Sequence, residues 1–115
     1  MTARGPVQPD RNGDESALVE SARAGDATAF EALYRGHCDR IYGLCWRLCG
    51  GDPALAEDLV QEAFIRAWNK LHLFRGDSGF GTWMHRLAAN VALSDRRIRL
   101  RRVMREKAMD ETVER

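Results

Sequence analysis

Between residues 30 and 48 the apolar side chains Phe30, Leu33, Tyr34, Cys38, Ile41, Leu44, Cys45 and Leu48 recur at helical spacings of three and four. A helix turns once every 3.6 residues, so this pattern gathers them on one stripe; a half-buried strand would need strict alternation. The pattern predicts a long amphipathic helix that a neighbouring element must cover. Gly50 and Gly51 end it, and Asp52 followed by Pro53 opens the next helix as N-cap and first helical residue. At its start either Asp26 or Thr28 can cap, and Thr28 with Glu31 would form a capping box.

The remaining segments read the same way. A first helix is expected from near Asp14, with Ala17, Leu18, Ala22 and Ala24 apolar and Gly25 as the residue that ends it. A third runs from Pro53 to about Leu71, carrying Ala56, Leu59, Val60, Ala63, Phe64, Ala67 and Trp68 on one face. A fourth buries Phe80, Trp83, Met84, Leu87, Ala88 and Val91, with Ile98 as a further candidate. No segment alternates like a strand, and the connections are short. The expected fold is therefore all-α, a compact bundle of three to four helices in antiparallel packing. With 115 residues there is length for one domain. Residues 1–13, rich in Gly and Pro, are expected to be a disordered leader, residues 14–105 the helical domain, and residues 106–115 the start of a linker or tail.

Composition excludes several classes. With 44% hydrophobic and 30% charged residues, the chain has no apolar run near the length of a membrane span, and its N-terminus lacks the apolar core of a secretory signal. No membrane insertion and a cytoplasmic location are the default expectations. Cys38, Cys45 and Cys49 fall on one helix, where Cys38 and Cys45 are separated by roughly 10 Å, too far for a disulfide. Small apolar packing residues are the expected reading, and neither a metal site with His37 nor any cofactor is expected. The formal net charge of +1 conceals an asymmetry. Residues 1–64 hold 6 basic and 11 acidic side chains, whereas residues 95–107 hold 7 basic and 2 acidic. An acidic front and a basic end suit two different partners, one of them nucleic acid.

Two polar faces need an explanation. On the third helix Asp58, Gln61, Glu62, Ile65 and Asn69 project opposite the apolar stripe. This is either an ordinary solvated face or a surface for a protein partner that offers arginines around an apolar spot. On the fourth helix Arg86, Asn90, Leu93 and Arg97 form a second stripe, continued by Arg96, Arg99, Arg101 and Arg102. The stripe follows directly on the connection Phe74-Arg-Gly-Asp-Ser-Gly-Phe-Gly-Thr-Trp83, which is aromatic and rich in glycine. Cations for phosphates beside rings for unpaired bases are the usual combination for single-stranded nucleic acid. Within the connection Phe74, Arg75 and Asp77 are expected to have no core role. Phe80 and Trp83 could serve either as core or as stacking surface.

The segments AEDLVQEAFIRAW (56–68) and FRGDSGFGTWMHRLAANVALSDRR (74–97) closely resemble region 2 of bacterial sigma factors of the extracytoplasmic-function (ECF) group, and the resemblance runs from about Ala17 to Arg102. It implies that the third helix docks on the clamp helices of the largest subunit of core RNA polymerase, through Asp58, Gln61 and Glu62 with Ile65 as a further candidate. It also implies that the connection and fourth helix capture the −10 promoter element on the single-stranded non-template strand, flipping a base to nucleate melting. Phe74, Arg75, Asp77, Ser78, Phe80 and Trp83 belong by motif position to the capturing loop, and Arg86 and Asn90 to the reading helix. Arg96 and Arg97 continue the cationic stripe. The resemblance further implies an anti-sigma factor as a partner. In full sigma factors of this group a second domain reads the −35 element, and no such domain is present in these 115 residues.

Three rivals remain to be weighed. Gly76-Asp77-Ser78 resembles the nucleophile block of G-D-S-L hydrolases, but the Asp-x-x-His that would supply the base is absent downstream. Asp77 or Ser78 as the N-cap of the fourth helix is the ordinary reading. A duplex-binding helix-turn-helix regulator would use a shorter, less aromatic turn. A protein-interaction module alone would leave the Arg and Asn stripe without a role.

Overall fold

The computed structural model describes the backbone of residues 11–113 and the side chains of residues 15–111. Four helices follow one another: α1 (Arg11–Arg23), α2 (Ala27–Leu48), α3 (Pro53–Lys70) and α4 (Phe80–Val113), with a single 3-10 turn at Leu71–Leu73. Among the described residues there is no strand. α2 is the central element, packing against α1, α3 and α4, while α3 also packs on α4.

The helix boundaries follow from local chemistry. α1 ends in a paired-hydrogen-bond motif in which Asp26 N–H donates to the Ser21 carbonyl at 3.0 Å and Gly25 N–H to Ala22 at 2.9 Å. Gly25 sits at φ +103°, where a side chain would be strained. Asp26 then caps α2, its carboxylate accepting from the Thr28 and Ala29 amides at 3.0 and 3.3 Å. Of the two expected caps it is the one used, and Glu31 pairs with Arg35. Asp52 caps α3 through the Leu55 amide at 3.2 Å, with Pro53 in the first turn. Asp26→Ala should therefore lower the unfolding free energy by about 1 kcal/mol in urea titrations, whereas Thr28→Ala leaves it nearly unchanged. Equal losses in both would move the cap to Thr28.

The core is continuous, with Leu33, Cys45 and Met84 the largest fully enclosed side chains. From α3 it takes Ala56, Leu59, Val60, Ala63, Phe64 and Ala67, all expected. Trp68 is 37% exposed, and its ring meets Phe30 edge-on at 5.1 Å on the α2–α3 seam. Burial, and secondarily the neighbouring Cys49, push the Cys45 thiol up to about 11. It therefore stays protonated as an apolar packing group. All three cysteines are free.

Several expectations are corrected. α1 begins at Arg11, ahead of Asp14, so residues 11–13 are helical; residues 1–10 of the expected leader lie outside the described residues. Among its described side chains the buried positions are Val19 and Ala22, whereas Ala17 and Ala24 are exposed, because Ala17 faces away from the seam with α2 and Ala24 lies past the helix end. α4 has 34 residues and continues through 106–113, the expected linker or tail. Beyond Gly81 the sequence has neither Gly nor Pro to stop it. Because α4 outruns its 22-residue neighbour α2, Ile98 is not buried but 47% exposed, and residues 100–111 are exposed throughout. Residues 114–115 lie outside the described residues.

Candidate nucleic-acid and protein interfaces

The loop of residues 74–79 joins the 3-10 turn to α4 and stands on an aromatic base. Phe80 is 2% exposed and contacts Phe74, Trp83 and His37, with ring centroids 6.2, 5.8 and 5.2 Å away. Phe74 and Trp83 meet at 5.3 Å. Phe74, expected to have no core role, is buried at 7%. The physical reason is the 3-10 turn, which closes with Phe74 N–H donating to the Leu71 carbonyl at 3.0 Å and turns the ring inward over Phe80. Trp83 is half-buried, one side in this cluster and the other lining a cleft.

Above the aromatic base the loop is polar and open. Arg75 and Asp77 are more than four-fifths exposed and 3.7 Å apart, with Gly76 between them at φ +83°. A pair this exposed contributes little and opens readily for a ligand. Ser78 is half-buried. α4 starts with Trp83 N–H donating to the Gly79 carbonyl at 3.1 Å, so Gly79 occupies the cap position expected for Asp77 or Ser78. Without a competing cap bond, Asp77 keeps its carboxylate for Arg75 or for a ligand.

Two clefts flank this loop. On one side, an open cleft of about 160 Å³ is lined by residues 73–78 with Trp83 and Arg86. On the other, about 340 Å³ lies between the loop and α1, lined there by Glu15, Val19, Glu20 and Arg23. The α1 wall is a contribution that sequence reasoning missed. It is tied in place by His37, which is 6% exposed and whose Nε2 lies 2.6 Å from the Glu15 carboxylate. Gly81 leaves room for this ring, since a Cβ there would lie 3.1 Å from His37 Cε1. The signal was present: Leu33, His37, Ile41 and Leu44 are spaced 4, 4 and 3, which places the histidine within the buried stripe.

Beyond the loop, Arg86, Asn90, Arg96 and Arg97 are exposed along α4, with Leu93 37% exposed among them. Among the described residues neither Arg86 nor Asn90 has a side-chain hydrogen bond or ion pair within the chain, while Arg97 donates to Ser94 Oγ at 3.2 Å. On α3, Asp58, Gln61, Glu62 and Ile65 all face outward, Ile65 at 61% exposure. Glu62 pairs with Arg66 on the same helix. The groove beside them between α2 and α3 adds Asp39 and Glu57 with Tyr34 and Tyr42, extending the acidic surface beyond α3. Among the described residues no group of His, Cys, Asp and Glu could hold a metal ion, and no helix is long and apolar enough to cross a membrane.

A four-helix fold with this loop between two helices that carry opposite charges defines a class, and comparison with known proteins identifies it. The family model for sigma-70 region 2 matches residues 33–105, and the chain belongs to that family. It is 44% identical over 78 residues to the RNA polymerase sigma-H factor of Pseudomonas aeruginosa, covering 68% of this chain and 40% of that protein. It is 42% identical over 79 residues to the ECF RNA polymerase sigma-E factor of Escherichia coli K12, with the same coverage. The chain thus spans about 40% of the length of the curated relatives it matches. Among solved structures, an engineered region 2 of sigmaE in complex with GTAAAA, determined by NMR, superposes with a TM-score of 0.71 at 33% identity, covering 76% of this chain and 90% of that one.

Proposed function

We propose that this domain takes part in transcription initiation, docking on core RNA polymerase through the outer face of α3 and capturing single-stranded −10 promoter DNA with the 74–79 loop and α4. The observation that carries the reading is the open Arg75–Asp77 loop held on a buried aromatic base, next to Arg86 and Asn90 of α4, which have no side-chain partner among the described residues. Its likeness to an engineered sigmaE region 2 solved with GTAAAA supports this choice of ligand.

The chemistry follows from the geometry. Flipping a base out of a duplex costs a few kcal/mol of stacking and pairing. A loop that is already ordered loses little entropy on binding, so the contacts it makes can offset that cost. Arg75 and Asp77 separate to meet a phosphate and a base edge, Ser78 adds a hydroxyl, and the exposed side of Trp83 offers a stacking surface. Phe74 and Phe80 act from beneath by holding the loop's shape. Along α4, Asn90 reads a base edge while Arg86, Arg96 and Arg97 meet phosphates. The proposed role is non-enzymatic. The clamp helices of the largest polymerase subunit meet Asp58, Gln61, Glu62 and Ile65, and an anti-sigma protein completes the proposed partner set.

The test is fluorescence anisotropy with single-stranded GTAAAA and with a duplex of the same sequence. The single strand should bind more tightly, with an affinity that falls as salt rises. Asn90→Ala should weaken it about ten-fold, the size of one lost base contact. Equal or tighter duplex binding would favour a helix-turn-helix regulator instead.

A further inference from the structure

Among the described residues His37 is the one buried side chain that is polar or charged. It takes a place in the apolar stripe of α2 between Leu33 and Ile41, where a leucine would pack without needing a hydrogen bond. Its Nε2–H donates to the Glu15 carboxylate of α1, and the same ring meets Phe80 of α4 edge-on at 5.2 Å and closes over Gly81. Three helices thus meet at one imidazole. α1 depends on this anchor, because among its described side chains only Val19 and Ala22 are buried. Apolar packing is non-directional, and so small an apolar grip lets a helix roll, whereas a hydrogen bond fixes its rotation. Glu15 lies about one turn before Val19, and both also line the cleft between α1 and the 74–79 loop.

We infer that His37 and Glu15 are positioning residues for strand capture: their hydrogen bond sets the spacing between α1 and the loop and, through Phe80, the pose of Phe74 and Trp83 beneath it. Neither side chain has to touch DNA. The inference rests on the −10 reading in the preceding subsection. Charge and position make opposite demands on Glu15. As a carboxylate on a cleft wall it repels phosphates, so on charge alone its removal tightens DNA binding. As an anchor it holds α1 and the loop in place, so its removal leaves them to be ordered at the moment of binding, which weakens it.

The experiment measures three quantities on the whole chain: the urea midpoint, anisotropy with single-stranded GTAAAA under conditions where each variant is folded, and amide hydrogen exchange over residues 75–80. Glu15→Ala should weaken hexanucleotide binding about five-fold and speed exchange in the loop, with little change in the urea midpoint. Glu15→Gln also removes the charge but keeps a carbonyl oxygen to accept from His37, and should recover most of the loss. His37→Leu should hold or raise the urea midpoint yet lose the same affinity. The double variant Glu15→Ala with His37→Leu should bind no more weakly than either single one, because both remove one contact. The inference is overturned if Glu15→Ala binds as tightly as wild type or more tightly, if the Ala and Gln variants lose alike, or if the losses at the two sites add. It is also overturned if affinity in His37→Leu falls only as far as the fold is lost, or if loop exchange in Glu15→Ala matches wild type. Exchange involves no DNA, so a wild-type chain that fails to bind the hexanucleotide sinks the −10 reading, while exchange still decides whether the two residues position the loop.

Discussion

Phe80→Ala is expected to lower the unfolding free energy by about 3 to 5 kcal/mol and to remove binding of single-stranded −10 DNA. The ring is 2% exposed and touches His37, Phe74 and Trp83, so its loss leaves a cavity under the loop and separates α2 from the start of α4. Native domains are stable by only about 5 to 15 kcal/mol, so the loss is a large share of the total. Urea denaturation measures the first effect and anisotropy the second. Arg75→Ala separates them: its side chain is 82% exposed and, among the described residues, paired only with Asp77, so stability should hold while DNA affinity falls about ten-fold, one charged contact. Full affinity in Arg75→Ala would show that the loop supports the fold without meeting DNA.

Asp58→Arg is the second large effect, expected to reduce affinity for core RNA polymerase more than ten-fold while single-stranded DNA binding and the unfolding midpoint stay as they are. Asp58 is exposed and, among the described residues, has no ion pair, so little inside the domain depends on its charge. At an interface with a basic partner, reversal places like charges together, which costs several kcal/mol. Gln61→Ala and Ile65→Ala should give smaller losses at the same surface. Pull-down or anisotropy against purified core enzyme provides the measurement. Unchanged affinity in Asp58→Arg would remove the outer face of α3 as the docking site and return it to an ordinary solvated surface.

These two variants differ in how far their basis could be read from the chain alone. Asp58, Gln61, Glu62 and Ile65 lie on the face opposite a complete apolar stripe, and helix periodicity alone turns them outward together. The structure leaves them there, adding the neighbouring Asp39 and Glu57 of the α2–α3 groove, a juxtaposition of two helices that no single-helix pattern contains. In the loop the outcome is different. Phe74 has no periodic context, because it lies between helices, and its burial depends on the 3-10 turn that folds it back over Phe80. The reach of α4 was legible in the absence of Gly and Pro after Gly81, whereas the exposure of Ile98 depends on where α2 stops.

The sequence by itself determined the four helices, the cap at Asp52, the core face of α3, and the separation of acidic from basic surface. Each of these is set by spacing along one helix or by a backbone group within a few residues. Only the tertiary structure decided which aromatic rings of the loop support it and which remain available, and that His37 and Glu15 tie α1 to the loop's wall. Those are contacts between residues far apart in the chain. Their geometry depends on how helices of unequal length cross and end, which periodicity along any one of them does not encode.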